Sequence, residues 1–206
     1  MPDYDLDNAY DIDGPDSARR LYGDWAATYD DSFGDGWGYI APRRIAETYL
    51  AQSDGDTPIL DIGAGTGLVA EHLQGETVDA FDITPEMLDI AKGKALYRSL
   101  ILGDLLTPLS VPDNSYGGVI SCGTFTHGHV GPACLPELLR VTRPGALFVC
   151  GTIAAVFDGM GFGSALAQLQ ARGKISALRF AEIDIYDKSD HPHGDDRGLV
   201  MIFRKN

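Results

Sequence analysis

The chain has 206 residues, 44% of them apolar, and a formal net charge of −14 from 16 basic and 30 acidic side chains. That is enough chain for one domain with a buried core. The acid excess argues against nucleic acid and anionic membrane surfaces as partners, since both are met with Lys and Arg.

Six of the acids, Asp3, Asp5, Asp7, Asp11, Asp13 and Asp16, stand in the first sixteen residues with no basic neighbour. Residues 1–15 therefore read as a disordered acidic leader, ahead of a helical lid at 16–56 and a main domain at 57–206. No basic stretch precedes an apolar run at the start, and no window resembles a membrane span. The three cysteines, Cys122, Cys134 and Cys150, show no CxxC spacing, which fits a cytoplasmic protein with thiols in the reduced state. Cys122 and Cys150 fall in strand-like runs and read as small core hydrophobes.

Asp16 or Ser17 is placed to cap a first helix, in which Leu21, Tyr22, Trp25, Ala26 and Tyr29 recur at helical spacing. Phe33–Gly38 reads as a glycine-rich loop, and a second helix covers about 42–52. From Ile59 the pattern alternates strand, turn and helix. Strands are expected at 58–62, 78–82, 99–102, 118–122 and 146–151, with helical stretches at 68–73, 85–95 and 132–141. Thr84-Pro85 is an N-cap followed by proline at the first helical position. A last helix near 162–172 leads to strands at 176–186 and 199–203 with no helix between them, which makes an antiparallel pair. The fold class is thus α/β, a Rossmann-like doubly wound seven-stranded sheet, mostly parallel with an antiparallel C-terminal hairpin strand and helices on both faces.

Three signals fall at the carboxyl ends of the first three strands, where ligands lie in such sheets. The first is the turn Asp61-Ile62-Gly63-Ala64-Gly65-Thr66-Gly67, whose glycines let backbone approach a ligand and whose following helix would favour an anionic group. Dinucleotide enzymes use G-x-G-x-x-G, which needs glycine where Leu68 stands. G-x-G-x-G after an acidic strand end is instead the pattern of class I S-adenosylmethionine (SAM) methyltransferases. The second is Asp82, 19 residues after Gly63, which can take two hydrogen bonds from a ribose diol. The third is Asp104-Leu105, placed to meet an adenine amino group and the adenine ring.

Residues 59–152 resemble a class I SAM methyltransferase throughout, including Thr84-Pro85-Glu86-Met87-Leu88 and Leu135–Gly145. Residues 21–155 are similar to the Williams–Beuren syndrome-region methyltransferase-like group, through Tyr22–Asp30, Ala95-Leu96-Tyr97 and Leu135–Pro144. The resemblance implies SAM as cofactor. Gly63, Ala64 and Gly65 would face its methionine part, with Asp61 near the amino group. Asp82 would hold the ribose, Ile83 and Met87 would flank the adenine, and Asp104 and Leu105 would close its far side. Cys122 and Gly123 would lie under the sulfonium. Tyr22, Trp25 and Tyr29 of a lid helix at 17–30 would cover the cofactor, aromatic faces being attractive to a cation.

A general base for the acceptor is sought just past the fourth strand, in Thr124-Phe125-Thr126-His127-Gly128-His129. His127 is the first candidate and His129 the second, because histidine titrates near working pH. The fourth strand is not followed by Asp/Asn-Pro-Pro-Phe/Tyr, which argues against amino methylation of DNA bases. A neutral or cationic small molecule is the expected acceptor. A SAM- or nucleoside-binding protein without catalysis is the alternative. The Asp190–Asp196 run reads as hairpin-loop chemistry rather than a metal site, His72 as exposed, and the oligomeric state is left open.

Overall fold

A computed structural model of the chain describes residues 14–36, 38–126, 130–187 and 193–206. The acidic leader thus falls almost wholly outside the described residues, as do His127, His129 and residues 190–192 of the Asp190–Asp196 run.

Seven strands form one sheet in the order β3-β2-β1-β4-β5-β7-β6. They are β1 (Ile59–Ile62), β2 (Val78–Asp82), β3 (Ser99–Leu102), β4 (Tyr116–Phe125), β5 (Thr142–Thr152), β6 (Arg179–Asp184) and β7 (Arg197–Arg204). Neighbours are parallel from β3 through β5, and β7 runs antiparallel to both β5 and β6. Six helices accompany them among the described residues: α1 (Pro15–Trp25), α2 (Ala41–Leu50), α3 (Pro85–Lys94), α4 (Leu135–Val141), α5 (Ala154–Gly159) and α6 (Phe162–Ala171).

The inner strands are buried on both faces because their residues alternate between two cores, whereas the edge strands β3 and β6 are largely exposed or half-buried. In β5, Phe148 and Cys150 join one cluster and Leu147 and Val149 the other, as a period of two requires. In β7, Met201 and Phe203 go one way and Val200 and Ile202 the other. Phe148 and Phe203 stack at 4.6 Å across the β5–β7 pair. Leu138 of α4 and Phe162 and Leu166 of α6 fill the first core; Ile45, Ala46 and Tyr49 of α2 fill the second.

Several local expectations are corrected. Helix α1 begins two residues earlier, at Pro15, because proline's fixed φ suits the first helical position. Ser17 Oγ donates to the Gly14 carbonyl (2.9 Å) and therefore does not cap as an acceptor, and Asp16 lies in the first turn rather than before it. The lid is not one helix from 17 to 30: α1 passes into a 3₁₀ turn at Ala26–Thr28 and a π-helical stretch at Asp30–Asp35, so the expected loop from Phe33 is in part helical. Residues 68–73 yield only a 3₁₀ turn, Ala70–His72, with Val69 and Leu73 on either side of it packed into the core under α2. Thr84 occupies the N-cap of α3 in extended geometry, but its side chain makes no capping bond. The strand expected at 176–186 is shorter, at 179–184, and α5 was not foreseen. His72 is exposed, as expected.

The N-terminal segment is fastened over the carboxyl ends of the strands. Tyr39 bridges Tyr186 in antiparallel fashion. The amides of Ile40 and Ala41 donate to the Ile185 carbonyl (2.9 and 3.1 Å), and Asp187 N donates to the Gly38 carbonyl (2.9 Å).

Candidate functional site

At the carboxyl ends of β1, β2 and β3 the strands hand their polar groups to one another. The amides of Gly63 and Ala64 donate to the Phe81 carbonyl at 2.8 and 3.2 Å, and Gly103 N donates to the Asp82 carbonyl at 2.9 Å. Ser121 Oγ and Thr124 Oγ1 of β4 both donate to the Ile62 carbonyl at 3.0 and 2.8 Å. The turn after β1 therefore leans on β2 and β4 at once. Glycine is required at Gly63, where φ is +65° and a Cβ would lie 1.9 Å from Thr124 Oγ1. At Gly65 φ is +55° and a Cβ would meet nothing within 4 Å, so the backbone there faces open space.

That space is a cleft of about 800 Å³ including its open mouth. One wall comes from the strand ends: Gly63, Gly65, Asp82, Ile83, Met87, Asp104, Leu105, Cys122 and Gly123 all line it. The opposite wall comes from α1 and the turn after it, through Tyr22 and Tyr29.

Asp82 is the best-anchored polar group. Its Oδ2 accepts from Gly65 N and its Oδ1 from Thr84 N, both at 2.8 Å. Burial nevertheless raises its pKa above the usual carboxylate range, although the amides of Gly65 and Thr84 pull it back. One lone pair on each oxygen is spent on backbone, which leaves the others for a ligand diol. Asp104 Oδ1 accepts from Leu106 N at 2.8 Å, so this residue shapes its turn as well as lining the cleft.

Asp61 is not on the cleft wall. It is fully buried behind the glycine turn, where Tyr97 Oη donates to its Oδ2 at 2.8 Å and its Oδ1 has no partner. Burial raises it to about 7, with the Tyr97 bond lowering it and the nearby Asp82 charge raising it further. An unsatisfied buried carboxylate oxygen is costly, and a ligand cation is the group that would offset that cost.

Two further expectations are corrected. Ala64 turns away from the cleft and packs against Ala80 and Leu88. Trp25 is 3% exposed and packs with Tyr186, its Nε1 donating to Ser32 Oγ at 3.0 Å; it supports Tyr29, 5.0 Å away edge to face, rather than the cleft itself. Cys122 is only half-buried and lines the cleft, unlike the core residue Cys150. Its Sγ lies 3.1 Å from Tyr39 Oη, and burial pushes the thiol up to about 12 although that hydrogen bond lowers it. It is a neutral thiol, not a nucleophile.

Sequence reasoning missed Pro15, Ala18, Phe81, Thr84, Thr124 and Val130, all of which line the cleft. Thr84 and Thr124 each follow an expected site residue within two positions, which was a usable signal. Pro15 and Ala18 carried none. The turn after β1 also lacks the helix that an anionic ligand group would need, because only three 3₁₀ residues follow it.

Residues 60–150 match the methyltransferase domain family. The chain is 37% identical to Methyltransferase-like protein 27 of Homo sapiens, over 67% of this chain and 59% of that protein. It is 35% identical to the malonyl-[acyl-carrier protein] O-methyltransferase of Serratia marcescens, over 55% and 46% respectively. The chain thus spans about half of these relatives' length. In fold it is similar to a SAM-dependent methyltransferase from Thermotoga maritima, with TM-score 0.67 and 14% identity over 91% of this chain and 99% of that one. A methyltransferase from Streptomyces caelestis gives 0.64 and 18% over 89% and 97%.

Proposed function

We propose that the chain is a class I SAM-dependent methyltransferase that moves the methyl group of SAM onto a small, neutral or cationic acceptor, as its similarity to the methyltransferase domain family over residues 60–150 supports. The carrying observation is Asp82, held rigid by two backbone amides yet lining the cleft. Its fixed carboxylate suits a ribose diol. Ile83, Met87 and Leu105 give apolar surface for the adenine, and Asp104 gives an acceptor for its amino group. Asp61, buried behind the glycine turn with Oδ1 unpartnered, supplies negative charge toward the methionine ammonium from behind the cleft wall. The residues present therefore fit the cofactor, which supplies a sulfonium-activated methyl group.

The protein's remaining tasks are to align the acceptor and exclude water. Tyr22 and Tyr29 roof the cleft with aromatic surface. Cys122 and Gly123 floor it at the end of β4. A general base is the last requirement for a hydroxyl or protonated amine. His127 and, second, His129 are proposed for it. They lie outside the described residues, but their segment joins Thr124 and Val130, both of which line the cleft. The net charge of −14 favours neutral and cationic acceptors over polyanions.

Calorimetry with S-adenosylhomocysteine tests the cofactor site, with micromolar binding expected and absence of binding overturning the reading. A methylated product from an acceptor panel distinguishes an enzyme from a protein that only binds SAM. His127→Ala should lower kcat by about 100-fold or more while leaving cofactor affinity unchanged. Full turnover in that variant removes His127 from the role.

A further inference from the structure

We propose that Asp30 is a positioning residue: by holding Thr66 and Lys94 at once, it clamps the aromatic wall of the cleft onto the glycine turn and so sets how long the cofactor stays bound. The inference rests on the cofactor reading above. It starts from the fact that the two walls belong to different stretches of chain. Tyr22 and Tyr29 come from the N-terminal segment, whereas Gly63, Gly65 and Asp82 come from the sheet. A ligand enclosed between them leaves only when the walls part.

Asp30 follows Tyr29 directly and is the joint between the walls. Its Oδ1 accepts from Thr66 Oγ1 at 2.5 Å, and its Oδ2 lies 2.7 Å from Lys94 Nζ. Thr66 sits inside the glycine turn and is 1% exposed. Lys94 ends α3, whose first residues and their N-cap, through Thr84 and Met87, line the cleft. Lys94 is held in turn by Glu71, at 2.6 Å, on the short 3₁₀ turn that follows the glycine turn. One carboxylate therefore meets both backbone stretches that shape the cofactor wall. Side chains of Asp30 and Lys94 are 32% and 22% exposed, so the pair is partly shielded from solvent, where charge-assisted bonds are stronger than on an open surface. A second link is looser: Arg19 Nε donates to the Ile83 carbonyl at 3.3 Å in an exposed position.

The test is a double-mutant cycle on the full chain, read as the dissociation rate of S-adenosylhomocysteine by stopped-flow fluorescence. Asp30→Ala should speed dissociation about tenfold and Thr66→Val severalfold, with association nearly unchanged. The double variant should be no faster than Asp30→Ala alone. Asp30→Asn keeps an acceptor for Thr66 but not the charge facing Lys94, so its rate should fall between wild type and Asp30→Ala; it also carries the test if Asp30→Ala does not fold. Unchanged dissociation in Asp30→Ala and Asp30→Asn, or additive effects in the double variant, would overturn the clamp. If the wild type binds no S-adenosylhomocysteine, the cofactor reading fails by itself. The clamp is then read without ligand by amide hydrogen exchange over residues 26–36: faster exchange in Asp30→Asn supports it, and identical exchange overturns it.

Discussion

The two ends of strand β2 carry an aspartate each, and the two are treated in opposite ways. Asp79, at the amino end, is 2% exposed and closed on every side: Arg98 holds it with two bonds of 2.9 and 2.6 Å, and Tyr116 Oη adds a third at 2.9 Å. Asp82, three residues on, is 8% exposed and held only by backbone amides, with a cleft in front of it. Asp61 on neighbouring β1 goes further and keeps one oxygen without a partner. One end of the sheet satisfies its own charge and stabilises the fold. The other leaves acceptors unsatisfied for something that arrives later.

The comparison predicts different losses. Asp82→Ala should weaken S-adenosylhomocysteine binding by about 1.5–3 kcal/mol, roughly 10- to 100-fold, the scale of charged hydrogen bonds; equal calorimetric affinity in the variant would erase the contrast. Asp79→Ala should instead cost about 2 kcal/mol of folding stability, since it leaves the Tyr116 hydroxyl buried without its acceptor. Its denaturant midpoint should fall while cofactor affinity stays within twofold of wild type.

The open end should also respond to pH. Burial first, and the Asp82 charge after it, hold Asp61 near about 7. A carboxylate raised in the folded state costs stability when it ionises, so the cofactor-free protein should lose stability as pH rises from about 4 to 7. If Asp61 serves the cofactor ammonium as proposed, the ionised form is the one that binds. Affinity should therefore rise about tenfold between pH 6 and 8, with a proton released on binding at pH 6 that calorimetry in two buffers will register. Tyr97→Phe gives the smallest effect. Without its hydroxyl Asp61 should titrate higher, moving that midpoint to higher pH and weakening binding severalfold at pH 7. An unmoved midpoint would separate Tyr97 from the carboxylate.

Much of this was legible in the sequence. Strands β2 and β3 fall where expected to the residue, because their apolar runs are short and bounded by turns. Gly63, Gly65, Asp82 and Asp104 reach the cleft for the same reason: each ends a strand whose direction the alternation of strand and helix already implies. What could not be read was side-chain direction within turns and helices. Trp25 and Tyr29 look equivalent in periodicity, but the change from α to 3₁₀ geometry at Ala26 turns Trp25 toward Tyr186. Asp61 and Ala64 flank the same turn, and the bonds from Gly63 and Ala64 to Phe81 point both inward. The Asp30 joint was equally hidden, since its partners lie 36 and 64 positions away.

The short bridge between Tyr39 and Tyr186 has a bearing on the order of assembly. It makes the roof of the cleft depend on chain that is synthesised after the parallel half of the sheet. The parallel half of the sheet can gather while synthesis proceeds and offer Thr66 and Lys94 to Asp30, but the fastening at Tyr39 is missing until the β6–β7 hairpin exists. The segment around Tyr39 is thus completed by chain about 150 residues downstream, a long-range closure of the kind that forms late in folding.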